Sequence, residues 1–184
     1  MNKKVCVFLA DGFEEIEGLT VVDLLRRAGV DVTTVSISAS SMVHGAHGID
    51  VQADKLFQEE KYEEYDMVVL PGGMPGTLNL SAHTGVKNVL DQFYNEKKYI
   101  AAICAAPSIL GTYGMLKGRK ATSYPGFEEK LVGAEYVYDA VTVDEFIITS
   151  QGMGTAIDFS LKLIEKMISE EKAEAIGKSI IYQC

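Results

Sequence analysis

Of three cysteines in the chain, only Cys104 stands where its chemistry could be controlled. In Ala101-Ala102-Ile103-Cys104-Ala105-Ala106-Pro107, an apolar run that reads as a strand gives way to the start of a helix. A thiolate attacks carbonyl carbons and peroxides, yet a thiol with the ordinary pKa of about 8.5 is only about 3% ionised at pH 7. The unpaired N–H groups of a helix's first turn, and the positive end of its dipole, would favour the anion. A depression of about three units corresponds to roughly 4 kcal/mol of differential stabilisation. The flanking alanines permit the tight strand-to-helix turn that points a nucleophile outward. Position alone leaves a second reading open, in which Cys104 is a small buried core residue.

Two further segments could complete a site around this thiol. Leu70-Pro71-Gly72-Gly73-Met74-Pro75-Gly76 presents backbone N–H groups unobstructed by side chains, as an oxyanion hole requires, or forms a plain Gly/Pro turn. The N–H groups of Gly73 and Ala105 are the candidate donors, with Gly72 beside them. Asp11-Gly12-Phe13-Glu14-Glu15-Ile16-Glu17 opens a helix, where Glu14 and Glu15 read as residues that stabilise the helix dipole. Glu17 instead falls near the apolar stripe facing the sheet, so its pKa should rise, and a protonated carboxyl there could donate to a thiolate or move protons. His44 and His83 read as surface residues. Cys6, within Val5-Cys6-Val7-Phe8-Leu9, reads as buried core, and Cys184 as an exposed thiol at the chain end.

The elements that must position these residues alternate between strand and helix. Strand character covers Lys4-Leu9, Val30-Ile37, Met67-Leu70 and Tyr99-Ile103, with two later β segments, Tyr136-Val143 and Phe146-Thr149, joined near Asp144-Glu145. Helical spacing covers Glu14 to Ala28, closed by Gly29, then Val86-Phe93, Ala105-Tyr113, Thr155-Ile168 and Glu170-Lys178. Ser38 to Asp54 reads as loop or hairpin. Short apolar strands alternating with helices call for a mostly parallel sheet covered on both faces. In such sheets functional residues gather beyond the carboxyl ends of strands, which is where all three candidate loops fall.

With 184 residues and 47% apolar content, the expected organisation is one domain over 1–184. Seventeen basic against 26 acidic residues give a formal charge of −9, which opposes nucleic-acid or anionic-membrane partners. An odd cysteine count without metal-type spacing argues against a disulfide framework or a zinc site, so no metal is expected. With neither a secretory signal nor an apolar run long enough to span a bilayer, the expectation is a cytoplasmic protein.

D-G-F-E-E-I-E, V-V-L-P-G-G-M-P-G, A-A-I-C-A-A-P and I-T-S-Q-G-M-G-T-A, in this order from Val5 to about Met167, resemble the DJ-one/ThiJ/PfpI superfamily, closest to its DJ-one/ThiJ branch. The resemblance implies an α/β, flavodoxin-like three-layer sandwich, class I glutamine amidotransferase-like, that forms a homodimer. It implies Cys104 as a strained nucleophile-elbow cysteine, Glu17 as a protonated carboxyl bonded to it, and Gly73 and Ala105 as backbone donors. It further implies oxidation of the thiol to a sulfinic acid, and in several members action on methylglyoxal or glyoxal without a cofactor, some described as deglycases of glycated amines.

Three positions depart from the pattern. Tyr124, in Ser123-Tyr124-Pro125, stands where deglycase-like members often carry histidine, and a phenol is a poor base at pH 7. Ala105 stands where the peptidase branch has histidine, which weakens a cysteine peptidase. Gln151 stands where relatives often have arginine near the pocket. His47 lies in a loop matching a segment that approaches the site, across a dimer in one arrangement, or is simply solvated. The reading is therefore a cofactor-independent enzyme of glyoxalase III or deglycase type, a hydro-lyase or hydrolase acting on a small reactive aldehyde or glycated substrate. Its rival is a stress-response redox sensor or chaperone whose Cys104 is oxidised rather than turned over.

Overall fold

A computed structural model describes residues 3–182, so Cys184 lies outside the described residues. Its centre is a seven-stranded sheet. The strands are β1 (Lys4–Leu9), β2 (Asp31–Ser36), β5 (Lys55–Leu56), β6 (Met67–Leu70), β7 (Tyr99–Ile103), β10 (Val141–Asp144) and β11 (Ile147–Ser150), in spatial order β10-β11-β7-β6-β1-β2-β5. Every pairing in the sheet is parallel except β10 with β11. Two small pairs stand apart: the antiparallel hairpin β3 (Met42–His44) with β4 (Asp50–Gln52), and β8 (Lys120–Ala121) with β9 (Glu135–Tyr136).

Among the described residues, six α-helices cover the sheet: α1 (Glu15–Ala28), α2 (Gly76–Ala82), α3 (Thr84–Glu96), α4 (Pro107–Thr112), α5 (Ala156–Met167) and α6 (Glu170–Ser179). Strand β1 shows why it reads as an unbroken apolar run. Val5, Val7 and Leu9 join one buried cluster with α1, α5 and α6, while Cys6 and Phe8 join the other with α3 and α4. Helix α1 ends where Gly29 adopts a left-handed φ of 88° and its N–H returns to the carbonyls of Leu25 and Arg26. Among the described residues, no helix is long and apolar enough to cross a membrane.

The sequence expectations hold for the central strands and for a hairpin within Ser38 to Asp54, and require three corrections. Helix α4 begins at Pro107, not Ala105, so Cys104 lies in a turn three residues ahead of it. The stretch Tyr136-Val143 is not one strand, because β9 ends at Tyr136 and β10 begins only at Val141. Ser38 to Asp54 does contain a hairpin, whose His44 carbonyl and Ala46 N–H bond to Gly12 N–H and Phe13 carbonyl ahead of α1. Elements β5, β8, β9 and α2 were not anticipated, being too short to show an apolar period.

Strands β7, β6 and β1 are neighbours, so the loops at their carboxyl ends lie side by side. Backbone bonds stitch two of these loops together: Glu14 N–H donates to Gly72 O (2.9 Å) and Gly76 N–H to Gly12 O (3.1 Å).

Nothing lies within 4 Å of where a Cβ on Gly29 would stand, so the cost of a side chain there is purely that of the backbone conformation. Gly29→Ala is expected to lower unfolding free energy by about 1 kcal/mol in urea titration. Unchanged stability would show that α1 does not depend on this cap.

Candidate active site

Cys104 follows β7 directly and has φ 65°, the left-handed region that a non-glycine residue enters only when its surroundings enforce it. They do so from two sides. Its N–H donates to the Ser150 carbonyl at the end of β11 (3.0 Å), and its carbonyl accepts the Tyr124 N–H (2.8 Å). The turn is closed by Ala106 N–H on Ile103 O (3.0 Å). The half-buried thiol is thereby held outward from the strand end, the strand-to-helix elbow expected from the alanines.

Glu17 descends onto this thiol from α1, and its side chain is 1% exposed. Its Oε2 accepts the Gly72 N–H (2.9 Å), while Oε1 has no aligned hydrogen-bond partner. Gly72 makes the approach possible. A Cβ on it would stand 2.6 Å from both Cys104 Cβ and Glu17 Oε2, closer than any side chain tolerates. Gly73, at φ 90°, turns the loop back so that its own N–H reaches the sulfur, and a Cβ there would collide with Glu14 N.

The electrostatics separate two carboxyls that lie two residues apart. Burial pushes the Glu17 carboxyl up to about 7, opposed by hydrogen bonds from the Cys104 thiol and Gly72 N–H. Burial would also raise Glu15, but the His47 ring and the N–H groups of Glu15, His47 and Ile49 hold it down at about 2. Cys104 is itself pushed up to about 12, first by burial, then by the charge and hydrogen bond of Glu17, against the N–H groups of Ala105 and Gly73. The simple expectation of a thiol depressed by a helix terminus is thus corrected: Cys104 is ahead of the helix and beside a carboxylate. Over the range between these two values the pair holds one proton. With that proton on sulfur the thiol is inert. With it on Glu17, the thiolate faces the two N–H donors.

The remaining sequence candidates fall around this pair. Tyr124 is half exposed, its ring 3.2 Å from where a Cβ of Gly152 would stand, a point only 3.8 Å from Glu17 Oε1. It edges the site. Gln151, half-buried and one residue earlier, has a buried Nε2 without a hydrogen-bond partner. His47 is drawn elsewhere: its Nδ1 lies 2.9 Å from Glu15 Oε2 and 3.6 Å from Glu14 Oε1, and its N–H donates to Glu15 Oε1 (2.7 Å). His44 is exposed and pairs with Asp50, whereas His83 is half-buried, caps α3 through Val86 N–H and packs on Phe57. Cys6 is fully buried.

Two contributors escaped the sequence reading. Glu15 is a buried anchor between α1 and the hairpin rather than a residue serving the helix dipole, and its partners lie 32 positions away, where no local pattern announces them. Gly152 supplies the close approach between Tyr124 and Glu17. Glu14, Glu15 and His47 place potential ligand atoms within 4.8 Å of one another, but the hydrogen bonds among them already account for the grouping.

A family model described as the DJ-1/PfpI family matches residues 3–166. The chain belongs to the DJ-1/PfpI family. It is 39% identical over 183 residues to Protein DJ-1 homolog A of Arabidopsis thaliana, covering 98% of this chain and 47% of that protein. The chain thus spans about half the length of that relative. It is 33% identical over 187 residues to a Schizosaccharomyces pombe protein named glutathione-independent glyoxalase DJ-1, covering 96% of this chain and 97% of that one. The solved structure of oxidized Toxoplasma gondii DJ-1 matches with TM-score 0.95 at 38% identity, covering 99% of this chain and all of that one. The α/β, flavodoxin-like sandwich of this DJ-1/PfpI chain therefore agrees with the architecture its strands and motifs implied.

Glu17 also imposes a pH dependence on folding. Between its unfolded pKa of about 4.5 and its folded value of about 7, the native state keeps a proton that the unfolded state releases, so stability falls as pH rises through this window. Glu17→Gln, uncharged at every pH, is expected to gain about 3 kcal/mol over the natural chain between pH 4.5 and pH 7.5. Denaturant titrations at the two pH values measure it; a stability difference that does not change with pH would remove the raised carboxyl.

Proposed function

We propose that this chain is a cofactor-independent enzyme that converts small 2-oxoaldehydes to 2-hydroxy acids through Cys104 and Glu17. The observation that carries the reading is the buried Glu17 carboxyl packed with the Cys104 thiol against the side-chain-free Gly72, with the backbone N–H groups of Gly73 and Ala105 facing the sulfur. Transfer of the thiol proton to Glu17 creates the nucleophile and loads the acid in one step, so neither a histidine at position 124 nor one at 105 is needed.

With methylglyoxal, the Cys104 sulfur attacks the aldehyde carbon, and the carbonyl oxygen becomes an oxyanion held by the Gly73 and Ala105 N–H groups. Protonation gives a hemithioacetal. Glu17 then removes the proton from the former aldehyde carbon and returns one to the neighbouring ketone carbon, leaving a thioester of lactate. The aldehyde carbon is oxidised and the ketone carbon reduced, so no outside oxidant is consumed. Water cleaves the thioester, releasing lactate and the thiol. An aldehyde held as a hemiaminal on an amine joins the same sequence once its C–N bond breaks and the amine leaves with a proton, freeing the aldehyde carbon for the sulfur, the deglycase form of the reaction. The name of the Schizosaccharomyces pombe relative supports the class of reaction.

Lactate formation from methylglyoxal, without added glutathione or metal, is expected to fall at least about 100-fold in both Cys104→Ala and Glu17→Gln. Full activity in Cys104→Ala would refute the mechanism. A second reading rests on the same geometry: the N–H donors and the Glu17 acid would equally hold a sulfinate, making Cys104 a redox sensor or part of a stress-induced chaperone. A gain of two oxygens confined to Cys104 under mild peroxide, with no turnover of methylglyoxal, would decide for it.

We further propose a cytoplasmic homodimer joined through α1 and the β3–β4 hairpin. Ile16 and Leu19 on α1, and Met42 and Ile49 on the hairpin, are large apolar residues left exposed on neighbouring elements. Light scattering is expected to give twice the chain mass for the natural protein and a monomer for the double variant Ile16→Lys, Leu19→Asp. A monomeric natural protein would overturn the assignment.

A further inference from the structure

We infer that the mouth of the Cys104 site selects by charge, admitting neutral and cationic carbonyl compounds and rejecting aldehydes that carry a carboxylate or phosphate. The inference deepens the reading of Cys104 as an aldehyde-attacking nucleophile and rests on it.

The segments that surround the sulfur are 10–17, 71–76, 104–107, 122–127 and 150–155, with the hairpin 42–52 packed against the first. None of the six contains a lysine or arginine. They contain Asp11, Glu14, Glu15, Glu17 and Asp50, against two imidazoles. Even with Glu17 protonated and both imidazoles charged, four carboxylates of each copy face at most two cations of that copy. Nor are the imidazoles free to receive an anion. The His47 ring lies against Glu15 and Glu14, and His44 against Asp50. The charge of Glu14 reaches Glu17, one of whose oxygens faces the same side as Tyr124 and Gly152. At Gln151 the side chain is neutral, and its buried Nε2 offers dipole without charge. An anionic substrate would approach through this field toward a sulfur that must itself become negative, and clefts lined by one sign of charge change encounter rates by 10-fold or more, roughly.

Methanethiosulfonate reagents carrying a trimethylammonium-ethyl or a sulfonato-ethyl group test this without any turnover. In both cases the Cys104 thiolate attacks the sulfenyl sulfur, a mixed disulfide forms, and methanesulfinate leaves. The thiolate fraction cancels in the ratio of the two rates. Rates at Cys104, read by peptide mass spectrometry and each divided by that of 2-mercaptoethanol, should favour the cation on the order of tenfold at about 0.01 M salt and approach parity at about 1 M. Glu14→Gln should narrow the ratio about threefold, whereas Glu174→Gln, the same loss of charge on exposed α6, should leave it unchanged. A ratio at or below that of the reference thiol at low salt would overturn the inference, as would equal narrowing in the two variants, which would assign the effect to the chain's overall charge.

4,5-Dioxovalerate and its methyl ester, both 2-oxoaldehydes able to undergo the same internal redox step but differing in charge, supply the substrate arm. A kcat/KM for the ester at least about tenfold above that for the carboxylate supports charge selection, and equal values overturn it. Should neither be consumed while the reagent ratio holds, the aldehyde reaction is rejected and the charge-selective mouth stands.

Discussion

The structure around Cys104 depends on one buried contact, the Glu17 carboxyl pressed against the thiol beneath the Gly72 loop. A carboxyl that is 1% exposed cannot ionise cheaply, and a thiol beside a carboxylate cannot either, so the two settle on a common proton. Everything else at the site serves to make that contact possible. The missing Cβ of Gly72 admits both groups, the bonds from Ser150 and Tyr124 hold Cys104 in its left-handed conformation, and the stitching of Glu14 to Gly72 fixes the loop to the helix that carries Glu17.

Glu15 and Glu17 show how environment, not residue type, assigns roles. They share a helix and both are buried, yet one is held at about 2 and the other pushed up to about 7. Glu15 meets four hydrogen-bond donors and becomes a permanent anion that ties the hairpin to α1. Glu17 meets one N–H and a thiol and becomes a proton store. The separation of acid–base chemistry between nearby carboxyls is a recurrent way to obtain a general acid and a structural anion from the same side chain. On the proposed reading, this structural anion also adds to the negative charge at the mouth of the Cys104 site.

Much of this was legible in the sequence. The central strands, the placement of Cys104 at a strand end, and the position of Glu17 on the sheet-facing stripe follow from apolar spacing and from the common rule for the carboxyl edge of parallel sheets. What remained hidden depends on distance along the chain. The bond between Glu15 and His47 spans 32 residues, and the short elements β8, β9 and α2 exist because tertiary neighbours complete them. The state of Cys104 was misjudged for a related reason: a local rule about helix termini could be read from the alanines, whereas the burial that chiefly raises the thiol, and the carboxylate that adds to it from a helix nearly ninety residues earlier, are set by tertiary packing.

The central claim is that Glu17 stays protonated into the neutral range. Carbon-13 NMR of the side-chain carboxyls against pH, with the Glu17 signal assigned by its loss in Glu17→Gln, measures this directly. The account requires a titration midpoint near 7 for Glu17. A midpoint in the ordinary carboxylate range, near 4.5, would leave Cys104 beside a permanent anion and contradict the shared-proton site.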